Sequence, residues 1–268
     1  MIDTATLLFG LPLFSGSKQS LLDLMYLRVK EGKSVLKVAT PNPEQVIQAS
    51  QDTDFLKDLG NFDLLLPDGQ GLVWASQLFS GRGTDSPLKQ RITGREVVVD
   101  LLQFAKKEKK KVLVIGGRDY SGKSFNGITL VSPGKATSNG LYAVTWLPGY
   151  TNVREQTSEE ERISSTTITE LKPDIVFVAF GAPYQEAWVS SHQKLLKKAG
   201  VSLVMVVGGS FDYLLGMVPR VPRFMEVLGL EWFFRLVTQP WRWQRQLRLI
   251  SFIGLTLKTF FSNKKPAV

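Results

Sequence analysis

The 268-residue chain is 43% hydrophobic and 21% charged, and its 23 Gly and 13 Pro follow no regular period, which excludes a disordered or collagen-like chain. With no Cys and one His, His192, it can build no disulfide framework, thiolate cluster or multi-histidine metal site, so acid–base chemistry falls mainly to carboxylates. The net charge of +9 is concentrated in the last fifty residues, where nine Lys and Arg face only Glu226 and Glu231; such a tail suits a polyanionic surface, either nucleic acid or anionic lipid.

In chain order, Met1-Ile2-Asp3 lacks the basic start and apolar core of a targeting signal, so a cytoplasmic chain is expected. Amphipathic and β-branched stretches then alternate. The pattern predicts helix 19–31, strand 34–39, helix 43–50, strand 62–66, helices 71–79 and 95–108, strand 111–115, strand 141–146, helix 158–171, strand 174–180, helix 184–198 and strand 203–207. Alternation of this kind implies an α/β fold, a Rossmann-like and mostly parallel sheet with helices on both faces. From Pro219 the chain turns basic and aromatic, which divides it into a core of residues 1–218 and a helical appendage of residues 219–268. The apolar run 249–257, between Arg248 and Lys258, is about half the ~20 residues needed to span a bilayer.

Ligands of such sheets bind at the C-terminal ends of the strands. The loops expected there are Thr40-Pro41-Asn42-Pro43, Pro67-Asp68-Gly69, Gly116-Gly117, Gly181-Ala182-Pro183 and Gly208-Gly209-Ser210. Asp68, between Pro and Gly just past a strand, has the placement a general base needs. Thr40 and Asn42 offer a hydroxyl and an amide from the equivalent loop, and Gln185 and Glu186 open a third helix, where free amides gather. Gly117 to Ser124 spells G-x-x-x-x-G-K-S, the pattern of a phosphate-cradling loop in a nucleotide-triphosphatase or kinase. The glycines and proline of 125–134 cannot form the helix such a loop requires, so a Gly-rich surface loop or hairpin is expected instead. Asp52 and Asp54 read as helix-start carboxylates rather than cation ligands, and His192 as a solvated surface residue.

The tail's Arg235, Arg242 and Arg245 fall within an arc of about 80° if one helix carries them. Their guanidiniums suit a diphosphate or lipid phosphates. Trp232, Trp241 and Trp243 beside so many arginines fit the headgroup level of a membrane; the competing reading stacks those rings on the bases of a nucleic acid.

Taken together, Thr40-Pro41-Asn42, Pro67 to Ser76, Arg91-Ile92-Thr93-Gly94, Phe180 to Glu186, Gly208 to Tyr213 and Gly229 to Trp232 with Arg235, Pro240, Arg242 and Arg245 resemble the WecG/TagA/CpsF glycosyltransferases. These are bacterial enzymes of surface-polysaccharide and teichoic-acid linkage synthesis. The resemblance implies an inverting, metal-independent enzyme that needs no cofactor. It would move an N-acetylmannosamine-type sugar from a UDP-sugar to a polyprenyl-diphosphate-linked acceptor, peripherally at the cytoplasmic face of the membrane. It implies Asp68 as base, Thr40, Asn42, Arg91 and Gln185 as pocket residues, and Gly208, Gly209, Phe211 and Asp212 near the nucleotide. Arg235, Arg242 and Arg245 would close over the donor diphosphate. An anionic membrane surface is the expected partner, nucleic acid is not, and homo-oligomerisation is left open.

Overall fold

The computed structural model describes residues 5–32, 34–81, 86–135, 140–219, 221–222, 225, 231–238 and 243–262, with the backbone alone at 231, 232, 235 and 243–246. Among the described residues ten strands form one sheet: β1 (Ala5–Leu8), β2 (Leu11–Phe14), β3 (Leu36–Ala39), β4 (Leu64–Leu65), β5 (Val112–Gly116), β6 (Ser124–Phe125), β7 (Ile128–Val131), β8 (Tyr142–Leu147), β9 (Ile175–Ala179) and β10 (Leu203–Val206). Their spatial order is β1-β2-β4-β3-β10-β9-β5-β8-β7-β6. The hairpins β1–β2 and β6–β7 are antiparallel, and every other neighbouring pair is parallel.

The central strands β5, β9 and β10 are buried at every position, as expected of parallel strands covered on both faces. Alternation sorts their side chains between two cores. Leu203, Met205, Ile175 and Phe177 join the layer made by Leu21 and Met25 of α1 (Lys18–Glu31), Val97 and Leu101 of α5 (Gly94–Lys107) and Phe211 of α9 (Ser210–Leu214). Val204, Val206, Val176 and Val178 face the other layer, built from α2 (Pro43–Gln51), α3 (Thr53–Gly60), α4 (Gln70–Leu78), α6 (Ser158–Leu171), α7 (Tyr184–Ser191) and α8 (Gln193–Lys198). The helices start where the sequence marks them: Asn42 and Thr157 close capping boxes with Gln45 and Glu160, and Asp52 caps α3 by accepting from Phe55 N at 3.0 Å.

Two further helices, α10 (Glu231–Thr238) and α11 (Trp243–Phe261), come from the tail. α11 lies along α2: Arg248 donates to Gln48 Oε1 at 3.0 Å, and Phe252 is buried in the same core as Val46 and Ile47. Phe252 meets Phe9 edge-on, with ring centroids 5.5 Å apart, and Phe9 meets Phe79 at 5.9 Å. Phe9 is a turn residue of the β1–β2 hairpin with a left-handed φ of 49°. That conformation costs a β-carbon residue about 1–2 kcal/mol, which burial of the whole ring offsets.

The G-x-x-x-x-G-K-S segment is the expected hairpin. After Gly117 the chain turns into β6, reverses through Asn126-Gly127 and returns as β7, with no helix following Ser124. Lys123 is exposed on this turn. Lys123→Ala should therefore leave the activity that the family resemblance implies at the wild-type rate, measured by turnover.

Candidate active site

Because β4, β3, β10, β9 and β5 are adjacent and parallel, the loops that leave their C-terminal ends share one edge of the sheet. The tightest convergence is around Asp68. Asp68 N donates to Pro41 O at 3.0 Å and Ile92 N to Pro67 O at 3.0 Å, binding the loop after β4 to the loop after β3 and to the segment leading into α5. Asp68 Oδ2 accepts from Gly94 N at 3.2 Å. Gly94 is the first residue of α5, so the carboxylate sits at a helix N-terminus, where free amides and the dipole favour negative charge.

Thr40 presses on the same point, since a β-carbon on Gly94 would lie 3.0 Å from its Cγ2 and 3.2 Å from its Oγ1. Gly94 admits the Thr40 side chain this closely because it has none of its own. Gly69, at φ 151°, packs against Pro43, and a β-carbon there would approach the proline ring to 2.8 Å. Asn42 spends its side-chain oxygen on Gln45 N at 3.0 Å. Arg91 is half-buried and directly precedes Ile92, so the bond from Ile92 to Pro67 holds it beside this loop. Thr40, Asn42, Asp68 and Arg91 are thus brought together.

Gln185 is in the same rim but faces inward. It is buried, and its Oε1 accepts from Gly181 N at 3.2 Å and Gly208 N at 3.0 Å, joining the loops after β9 and β10. Gly208 (φ 49°) and Gly209 carry the chain into α9. Phe211 is fully buried between Tyr120 and Phe177, with centroids 5.9 and 5.7 Å away, and anchors α9 to the sheet beneath the rim. Asp212 accepts from Tyr120 Oη at 2.8 Å and pairs with Arg118 Nε at 3.5 Å. Burial and the Asp212 carboxylate together push the Tyr120 phenol well above its ordinary range. Arg118, just past β5, is a polar contributor that the glycine pattern of its loop had hidden.

Arg242 and the side chains of Arg235 and Arg245 lie outside the described residues. The tail nevertheless reaches the rim through Phe252. A β-carbon on Gly71, three residues after Asp68, would come within 3.6 Å of its ring. Among the described residues no group of three or more His, Asp and Glu could hold a metal ion.

His192 differs from expectation. Its side chain is 12% exposed, its Nε2 lies 2.9 Å from Glu161 Oε1, and its ring stacks on Trp188 at 4.2 Å. The helix expected over 184–198 breaks there into α7 and α8, and the ring is held by Trp188, Ser191 and Glu161.

Glu186 is wholly buried beside Gln185, and desolvation raises its carboxyl from 4.5 to about 7, with the neighbouring Asp58 charge adding to the rise and Gln185 opposing it. The folded protein holds this proton more tightly than the unfolded chain, so the stabilisation is complete below the unfolded value and is lost as pH rises through the folded one. The urea midpoint should accordingly fall between pH 5 and 8, and Glu186→Gln should remove that slope.

An open α/β sheet whose C-terminal rim gathers Asp68 and Thr40 at a helix N-terminus, with Asn42 and Arg91 in the adjoining loops, has the edge at which proteins of this class bind ligands. The sequence profile of the Glycosyl transferase WecG/TagA/CpsF family matches residues 6–266, and the chain belongs to that family. It is 32% identical over 256 residues to the N-acetylglucosaminyldiphosphoundecaprenol N-acetyl-beta-D-mannosaminyltransferase of Bacillus subtilis, covering 96% of this chain and 92% of that protein. It is also 32% identical over 246 residues to the protein of the same name from Bacillus spizizenii, covering 91% and 86%. This protein is a glycosyltransferase.

Proposed function

We propose that the protein transfers an N-acetylmannosamine-type sugar from UDP to an N-acetylglucosamine carried on a polyprenyl diphosphate, in cell-surface polysaccharide or teichoic-acid synthesis. The observation that carries this reading is the Asp68 carboxylate, at the N-terminus of α5 beside Thr40 and within the same rim as Asn42 and Arg91, in a chain that aligns with its named relatives over nearly its whole length. Asp68 takes the proton of the acceptor hydroxyl as that oxygen attacks the anomeric carbon from the face opposite UDP. The carbon–oxygen bond to the diphosphate breaks with its electron pair, and UDP leaves. Arg235, Arg242 and Arg245 stabilise the charge gained by that diphosphate, a role that supplies several kcal/mol in comparable sites, about 3 per well-placed donor.

The acceptor's lipid requires the enzyme to meet a membrane, and α11 supplies a surface for it. Leu247, Ile250, Ile253, Leu257 and Phe261 are exposed on α11 and fall within an arc of about 120°, opposite the buried Phe252, Thr256 and Thr259. No helix among the described residues is long and apolar enough to cross a membrane, so the apolar arc suits docking at the headgroup level, with the basic tail on anionic lipid. Residues 219–268 are on this reading the docking appendage of the core formed by residues 1–218.

The test is UDP release from a panel of UDP-sugars, with a short-chain polyprenyl-diphosphate N-acetylglucosamine acceptor, in the presence and absence of a chelator. Release is expected with an N-acetylmannosamine donor, dependent on the acceptor and unaffected by the chelator. No release with any donor would overturn the reading.

A further inference from the structure

Glu186 belongs to no step of the transfer, yet it lies where three rim loops are joined. Its Oε1 accepts two side-chain amides, Gln185 Nε2 at 3.0 Å and Gln45 Nε2 at 3.3 Å. Each of those glutamines uses its own oxygen on the rim backbone. Gln45 Oε1 accepts from Asn42 N at 3.1 Å, and Gln185 Oε1 accepts from Gly181 N and Gly208 N. An amide side chain is a near-symmetric fork whose two ends differ only in donating or accepting. Turned over, either glutamine would set an NH2 against a backbone N–H. What prevents this is an acceptor fixed behind both NH2 groups, and Glu186 Oε1 is that acceptor.

We propose that Glu186 is a positioning residue that locks the amide orientation of Gln45 and Gln185, and through them holds the loops after β3, β9 and β10 in the register the reaction uses. Burial suits the task. The carboxyl is fully enclosed, and its Oε2 has no hydrogen-bond partner among the described residues, so the group is best accommodated with a proton on Oε2 and Oε1 left as a pure acceptor. The raised carboxyl agrees with that form. Asp58 of α3 is the charged neighbour that bears on it, and being negative it too favours the protonated acid.

Two substitutions separate this role from simple packing. Glu186→Leu keeps roughly the volume and removes the acceptor; Glu186→Gln keeps an oxygen in the place of Oε1. In Glu186→Leu, kcat should fall at least about tenfold with KM for the UDP-sugar changed much less, because a misaligned rim weakens the transition state more than ground-state binding. Glu186→Gln should recover most of that loss. Independently of turnover, amide hydrogen exchange of Gly181 and Gly208 should quicken in Glu186→Leu and stay protected in Glu186→Gln, while the amides of β9 and β10 remain protected in both. If Glu186→Leu does not fold, Gln45→Met at a half-buried position removes from the α2 side both the amide on Glu186 and the Asn42 N acceptor that this amide orients, and should lower kcat likewise.

Wild-type kcat and glycine protection in Glu186→Leu, or wild-type kcat in Gln45→Met, would overturn the proposal, as would a Glu186→Gln enzyme as impaired as Glu186→Leu. The kinetic arm rests on the transfer reaction proposed above, whereas the exchange arm needs no substrate. A wild-type enzyme without turnover would therefore refute the transfer reading and leave the exchange arm to decide this one.

Discussion

Asp68→Asn should lower the rate of sugar transfer by about 10²–10⁴, the range associated with loss of a positioned general base. The substitution is chosen for what it preserves. Asparagine has the same shape, and its carbonyl oxygen can still accept from Gly94 N, the 3.2 Å bond that ties the carboxylate to the first turn of α5. The backbone bond from Asp68 N to Pro41 O does not involve the side chain and persists. What disappears is the charge, and with it the capacity to take a proton. UDP binding by calorimetry should therefore stay close to wild type while UDP release collapses. Asp68→Ala should do as much damage to turnover and additionally leave Gly94 N without its acceptor. Turnover retained in Asp68→Asn would remove Asp68 from the role of base and shift attention to other groups of the rim.

The parts of this site that could be read in the sequence are those whose signal is local. Asp68 lies between Pro and Gly just past an apolar run and stands in the loop where that pattern puts it, whereas Asn42, read as an amide offered to a ligand, spends its side-chain oxygen on the cap of α2. The strands β5, β9 and β10 are legible for the same reason, as short apolar runs with loops at both ends, and α6 begins and ends at the residues its cap and periodicity mark. The hairpin β1–β2 was not legible. Its strands have four residues each, and its turn is built on Phe9, a residue that signals core rather than turn. The turn holds because the ring is captured by Phe79 and by Phe252, which is more than two hundred positions away along the chain.

The inward direction of Gln185 is equally non-local. At the start of a helix, a glutamine reads as a ligand for substrate, and only the packing of β9 against β10 brings Gly181 and Gly208 N to its oxygen. Glu186 could be picked out as polar but not as buried, because Gln45, 141 residues away, supplies one of its donors. The break at His192 had no glycine or proline to announce it; stacking on Trp188 and the bond to Glu161 select it.

The second large effect concerns α11, whose two faces should respond differently to substitution. Ile250, Ile253 and Leu257 are 66%, 53% and 46% exposed, so replacing all three by Ser should leave the protein folded at a cost of about 2–4 kcal/mol of stability, the share of each side chain that the fold already covers. On a membrane the same three side chains would leave water. Full burial of an aliphatic side chain is worth about 1.5–3 kcal/mol; with roughly half of each available, the loss is about 3 kcal/mol, or on the order of a hundredfold in affinity for vesicles. Electrostatic attraction of the basic tail would remain and fall with salt. Co-sedimentation with vesicles of anionic and of neutral lipid, each across a salt series, measures both contributions. Phe252→Ala tests the buried face. It removes a ring packed against Phe9 in the core and should cost about 3–5 kcal/mol of stability, loosening α11 from α2 beside the Asp68 loop. Transfer to a membrane-held acceptor should fail in both variants, through lost docking in the triple Ser protein and lost structure in Phe252→Ala. Undiminished vesicle binding by the triple Ser protein would show that the apolar arc of α11 does not face the membrane.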